Sequence, residues 1–149
     1  MGRKAGPPEG ANDPDEGIFR GVRIARRYVS PDGFVVLAGK TAADNDLLTF
    51  KLSSPRDFWL HISGDSGSHV IVRNPDGVDR LPRDTARFAA AVAARHSRAR
   101  SGGKVAVHLA KRADVRKERG MAAGKVSVSR GVVVQATPLP EEKEPIGSK

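Results

Sequence analysis

Asp57-Phe58-Trp59-Leu60-His61-Ile62 and Gly67-Ser68-His69-Val70-Ile71-Val72-Arg73, separated by Ser63-Gly64-Asp65-Ser66, decide the fold of this chain. Each run is rich in β-branched and aromatic residues, is too short for a stable helix, and is bounded by glycine. The reading is a strand over 58–62, a tight loop over 64–68 and a second strand over 69–73. Asn74-Pro75-Asp76-Gly77 then closes the pair with a turn. Upstream, Ile18 to Val29 reads as a strand, because Val22 and Ile24 alternate with Arg23. Ser30-Pro31-Asp32-Gly33 is a turn, with proline presetting φ and glycine free to take a left-handed conformation, and Phe34 to Ala38 is the return strand. Thr41 to Phe50 holds a short helix capped by Thr41 or Asp44.

Downstream, residues 82–100 form the one long helix. Pro82 precedes it, Asp84 caps it, and Ser101-Gly102-Gly103 ends it. Phe88, Ala89, Val92 and Ala93 share one face, with Arg87, Arg95 and Arg98 near the other. Val105 to Leu109 alternates as a strand. Lys111 to Gly120 is basic, lacks apolar periodicity and reads as a loop. Lys125–Ser129 and Val132–Ala136 read as a closing hairpin across Arg130-Gly131. The sum is a single α+β domain: a mainly antiparallel sheet with one long and one short helix. It spans 18–137, between a Gly/Pro/acid-rich tail over 1–17 and a second tail over 138–149, both expected to be disordered.

The chain has 149 residues, enough for one hydrophobic core, and no cysteine. That excludes disulfides, thiolate nucleophiles and cysteine-based zinc sites, and fits a cytoplasmic setting. No signal-peptide h-region and no long apolar run are found, so no membrane partner is expected. The formal net charge is +9. Residues 95–130 carry eleven Lys/Arg against Asp114 and Glu118. Cations unbalanced by neighbouring acids repel one another, and a polyanion relieves that repulsion by releasing counterions. A bland reading, a solvated face, stands beside this one.

Four ordered segments carry a resemblance to a known family. They are Gly39-Lys40-Thr41-Ala42-Ala43-Asp44-Asn45-Asp46-Leu47-Leu48-Thr49-Phe50; Asp57-Phe58-Trp59-Leu60-His61; Gly67-Ser68-His69-Val70; and Lys111-Arg112-Ala113-Asp114-Val115-Arg116-Lys117, followed by Gly120 and Gly124. Ser97-Arg98-Ala99-Arg100 adds to them. Together the chain resembles the NFACT-R domain, the C-terminal RNA-binding module of NFACT proteins of ribosome-associated quality control, here expected as a standalone domain. The resemblance implies RNA as partner, either tRNA or rRNA, in the context of the large ribosomal subunit.

The candidate RNA-contacting residues are His61, Gly67, Ser68, His69, Arg73, Arg98, Arg100, Lys104, Lys111, Arg112, Arg116 and Lys117. Asn45, Asp46 and Trp59 are candidate base or ribose contacts. Each has a structural alternative. His61 and His69 either contact RNA, pin backbone carbonyls or, least in keeping with the absence of a carboxylate pattern, hold a metal. Gly64 to Ser68 is either a phosphate-facing loop or only a tight turn. On the first reading, Gly67→Val weakens RNA binding and leaves thermal stability nearly unchanged. Asn45 and Asp46 cap a helix or read a base; Trp59 is core or a stacking platform. No nucleophile–base–acid order or carboxylate pair stands out, so neither catalysis nor a cofactor is expected. The rival reading is a protein–protein adaptor that docks on an acidic ribosomal or chaperone surface.

Overall fold

A computed structural model describes residues 10–140. The expected tails at 1–9 and 141–149 lie outside the described residues. The element order is β1 (Ile18–Phe19), β2 (Val22–Arg23), β3 (Ala25–Val29), β4 (Val35–Gly39), α1 (Ala42–Leu47) running into a π-helical turn (Leu48–Leu52), β5 (Phe58–Ile62), β6 (Val70–Val72), α2 (Arg83–Arg95), β7 (Val105–Lys111), a 3-10 turn (Arg112–Asp114), β8 (Val115–Arg116), β9 (Ser127–Val128) and β10 (Val132–Ala136). Six strands form the main sheet in the order β10-β7-β5-β6-β4-β3, with every neighbouring pair antiparallel.

The β5–β6 hairpin sits at the centre, in the register Phe58↔Val72, Trp59↔Ile71 and Leu60↔Val70. Alternation along these strands serves two cores. Phe58, Leu60, Val70 and Val72 join Val36, Ala38 and Val107 beneath Ala89, Ala90, Val92 and Ala93 of α2. Trp59, Ile71 and Leu37 point the other way and join Ile24, Leu48, Leu52, Ala110 and Val115. A strand buried on both faces reads as a continuous apolar run, which is why 58–62 shows no polar alternation. The Ser30–Gly33 turn forms as expected, with Gly33 at φ +90° and its N–H donating to the Ser30 carbonyl at 2.9 Å.

Several expectations are corrected. The single strand over 18–29 is broken at Arg20-Gly21 into the small β1–β2 hairpin and β3. Residues 10–17, read as part of a disordered tail, are structured. Asp13 bridges to Ile18, Glu16 pairs with Arg23 and Arg27, and Asp15 pairs with Arg73. At the other end, Leu139 donates its N–H to the Ala91 carbonyl at 3.0 Å and packs on the α2 core. Thr41 does cap α1, its hydroxyl accepting from the Asp44 N–H at 3.0 Å. Asp84 does not cap α2. Pro82 holds that position without a side-chain bond, and Asp84 stands in the first turn, where it still complements the helix dipole.

Helix α2 ends at Arg95 rather than near residue 100. The 64–68 loop captures the chain there: the Ser68 N–H donates to the His96 carbonyl at 2.9 Å, and the Arg98 N–H donates to the Ser66 carbonyl at 3.0 Å. The basic stretch 111–120 is not simply a loop, and 125–129 does not pair with 132–136. Val115 is buried, and Val126 and Val128 pack around it, so β8 and β9 pair over the second core. β10 instead takes the free edge of β7, from Val132↔Leu109 to Ala136↔Val105.

Candidate nucleic-acid interface

The β5–β6 loop, the end of α2 and the 122–128 segment meet at one end of the sheet. On the second-core face, Trp59 and His61 of β5 lie side by side. His108 of β7 is the cross-strand partner of His61. His69 enters from just before β6. The result is a four-ring cluster. His61 stacks on Trp59 with centroids 5.8 Å apart and planes at 12°, while His69 and His108 meet Trp59 edge-on at 5.4 and 5.9 Å. A cleft of about 680 Å³ opens over these rings, walled by Gly64–Gly67, Arg98, Asn45 and 123–126.

His69 is a structural pin. It is 1% exposed, and both ring nitrogens are engaged. Nε2 donates to the Gly124 carbonyl at 3.0 Å, so Nδ1 is the acceptor and takes the Thr49 hydroxyl proton at 2.8 Å. The neutral ring is therefore the Nε2–H tautomer. Burial accordingly pushes the His69 pKa down to about 4, with His61 and Lys117 adding to the effect against the Gly124 carbonyl and Asp46. Asn45 is also buried, and its Oδ1 accepts from the His69 N–H at 3.1 Å. Asp46 accepts from the Gly124 N–H at 3.2 Å and pairs with Lys117 Nζ at 3.1 Å. Lys117 reaches on to the Ala122 and Lys125 carbonyls. These contacts staple the 122–125 wall to α1. Burial lowers the pKa of His61 too.

Trp59 is 2% exposed, so its ring is no open stacking platform. Trp59 is among the residues lining the cleft, and its Nε1 is buried with no hydrogen-bond partner among the described residues. Gly67 is where the loop touches α2's end. A Cβ there would lie 2.7 Å from Ser97 Cβ and 3.0 Å from the His96 carbonyl. The expectation that Gly67→Val spares stability is therefore overturned. We expect it to lower the thermal midpoint by several degrees, on the order of the 1–3 kcal/mol that overpacking costs. Circular dichroism melts check this. Ser68 Oγ donates to the Gly39 carbonyl at 2.6 Å, tying the same loop to β4.

Beside the cleft, and sharing Ser66, Gly67 and Arg98 with it, a second cleft of about 590 Å³ is lined by Arg26, Arg95, Arg98 and Arg100 with His96. Burial first, then the Arg26 and Arg95 charges, lower the His96 pKa to about 4. Its Nε2 lies 2.6 Å from the Tyr28 hydroxyl.

The other predicted cations lie apart from these clefts. Arg73, at the far end of β6, pairs with Asp57 and Asp15. Lys111 pairs with exposed Asp79 at 2.8 Å and lowers that carboxyl's pKa. Arg112 donates to the Thr49 carbonyl and lies over the Phe50 ring at 4.9 Å. Arg116 and Lys104 are exposed. Sequence reasoning missed Arg26, His108 and Lys125. For Arg26 the only signal was a cation in a strand; for His108 it was a histidine next to buried Val107 and two residues from buried Ala110. Among the described residues, no three His, Cys, Asp or Glu side chains are placed to hold a metal, and no helix is long and apolar enough to cross a membrane.

Comparison with known proteins bears on this geometry. The family model "NFACT protein RNA binding domain" matches residues 25–130. The chain is 31% identical over 115 residues to the Rqc2 homolog RqcH of Bacillus subtilis and 32% identical over 118 residues to that of Streptococcus suis, covering 77% and 78% of this chain. It is 29% identical over 56 residues, 38% of this chain and 6% of the relative, to the ribosome quality control complex subunit NEMF homolog of Drosophila melanogaster. The chain spans only about a fifth of the length of the two bacterial relatives: 20% and 21%. The solved C-terminal part of the fibronectin/fibrinogen-binding protein from Streptococcus suis superposes with a TM-score of 0.71 at 30% identity, over 77% of this chain and 45% of that one. The matched span runs from β3 to the residue before Gly131 and so takes in both clefts, the four-ring cluster and the stapled wall; the chain belongs to the NFACT protein RNA binding domain family.

Proposed function

We propose that this chain binds structured RNA, tRNA or rRNA, in ribosome quality control in the cytoplasm, with the large ribosomal subunit as the setting. The observation that carries the reading is the cleft of Arg26, Arg95, Arg98 and Arg100 at one end of the sheet. Guanidinium groups present planar donor forks that suit phosphate oxygens. Two of the four, Arg98 and Arg100, follow a helix end whose backbone is bonded to the β5–β6 loop, so the chain that carries them is placed before RNA arrives. Membership of an RNA-binding family and likeness to RqcH and NEMF homologues support the context. On this reading the chain recognises RNA by shape and phosphate placement and is not an enzyme. Lys104, Lys111, Arg112, Arg116 and Lys117 extend the field more than they grip, because Lys111, Arg112 and Lys117 are already engaged within the fold.

The test is binding to tRNA, an rRNA fragment and duplex DNA of equal length across a salt series, for the parent and the Arg26→Gln/Arg98→Gln/Arg100→Gln variant. The parent is expected to prefer RNA at near-physiological salt. The variant should bind more weakly, with a log–log salt slope shallower by about two to three, as loss of three phosphate contacts predicts. An unchanged slope removes the arginine cleft from the interface. Weak binding equal for all three nucleic acids favours the adaptor. An adaptor keeps its protein partner after ribonuclease treatment.

A further inference from the structure

We propose that the 680 Å³ cleft beside Trp59 takes one unstacked nucleotide of the bound RNA, its base entering edge-on against the half-buried His61 and His108 rings and displacing them enough that a ring nitrogen or carbonyl oxygen accepts the covered Trp59 Nε1 proton. This rests on the RNA-binding reading and adds a site and a ligand chemistry to it.

Three observations converge. First, the indole N–H is a donor only, and leaving it buried without an acceptor costs free energy that a bound ligand would recover. Trp59 is 2% exposed and Nε1 has no partner among the described residues, while its neighbours His69 and Asn45 are both satisfied. Every nucleobase carries an acceptor on its edge.

Second, charge differs between the adjoining clefts. Four arginines face the second cleft. The first has only Arg98 and Lys125 as cations, with the Asp65 carboxylate among its lining residues. A phosphate is better matched to the arginine side and a neutral, flat, partly apolar group to the ring side. Ser66, Gly67 and Arg98 line both, so one nucleotide can place its phosphate on the arginines and its base over Trp59.

Third, the walls are built. His61 stacks on Trp59. His108 is held opposite it across β5 and β7. The 123–125 wall is stapled through His69, Asp46 and Lys117. A cleft of this volume with few, fixed polar groups has the proportions of a small-ligand site. RNA recognition commonly reads bases that have been splayed from the stack.

Trp59 is the only tryptophan in the chain, so a single indole N–H resonance and a single emission report on the cleft without any substitution. The experiment follows that resonance by NMR while pentanucleotides of A, C, G or U, and an abasic pentaribose phosphate of the same length, are titrated in. Anisotropy with labelled tRNA measures RNA binding independently. At least one base-bearing pentamer is expected to move the indole proton downfield saturably, while the abasic chain leaves it in place. His61→Ala and His108→Ala should each weaken that pentamer by about tenfold, the scale of one lost base contact, with the salt slope unchanged.

If tRNA binds while no pentamer moves the indole proton and both histidine variants bind like the parent, the base site is wrong and the RNA-binding reading stands. If the abasic chain moves the indole as far as the base-bearing ones, the cleft is an anion slot and the proposal fails. Absence of all RNA binding removes both readings.

Discussion

Replacing Asp57 with alanine is expected to destabilise the fold by about 3–5 kcal/mol, the cost of breaking a buried ion pair from one side. In a domain of this size that lowers the thermal midpoint by roughly 10 °C or more. Asp57 is 1% exposed, and its carboxylate accepts from three donors on two chain segments at once. Oδ1 takes the Asn74 N–H at 2.8 Å; Oδ2 takes the Ser54 N–H at 2.8 Å and Arg73 Nη1 at 2.5 Å. Its backbone carbonyl also accepts from the Arg112 N–H at 2.8 Å. Alanine would leave two backbone N–H groups and a mostly buried guanidinium without this acceptor. Asp15→Ala serves as the contrast: it removes the other carboxylate of Arg73, but that carboxylate is mostly exposed and the loss should be within about 1 kcal/mol. Chemical denaturation of the two variants beside the parent decides the point. Equal, small losses would mean that Asp57 is not the anchor of the β5 start.

That anchor also shows where sequence reading stops. Arg73 stands two residues after Ile71 in a run that reads as a strand, and its charge made it a candidate for RNA. What claims it is Asp57, sixteen positions earlier, brought alongside by the β5–β6 hairpin. Hairpin formation was legible because it depends on local turn chemistry and on runs of Phe, Trp, Leu, Val and Ile. The pairing of a cation with a particular buried acid depends on register, and strands buried on both faces carry no apolar–polar alternation to reveal it.

The same divide runs through the rest of the chain. The main helix was legible from its alanines and Pro82, and its early end was not, because His96 and Ser97 are claimed by Ser68 and Gly67 of a distant loop. The final strands were legible as strands, but their partners were misassigned. Val132–Ala136 lies beside Val105–Leu109 because β7 offers an unpaired edge, a fact of sheet order. At the candidate interface, Trp59, His61 and His69 were singled out in sequence and do come together. His108 and Arg26 were invisible, since each reaches the site from another strand.

Stability is expected to fall as pH drops from about 6.5 to about 4, with His69 as the main histidine source. In the unfolded chain His69 takes up a proton near its ordinary pKa of 6.5, whereas in the fold burial holds its pKa down to about 4. The unfolded state therefore binds more protons throughout that window. The stabilisation is fully present above pH 6.5, declines as pH falls and is exhausted below about 4. Two and a half units correspond to about 3 kcal/mol. His96 is held equally low but is partly exposed and contributes less. The structural reason is burial: the ring is 1% exposed, and desolvation of the charged form outweighs the Gly124 carbonyl that favours it. Urea midpoints at pH 7.5, 6, 5 and 4.5 test this. His69→Gln should be less stable than the parent at pH 7.5 and have a flatter pH profile. A variant that retains the parent's full slope would assign the acid sensitivity elsewhere.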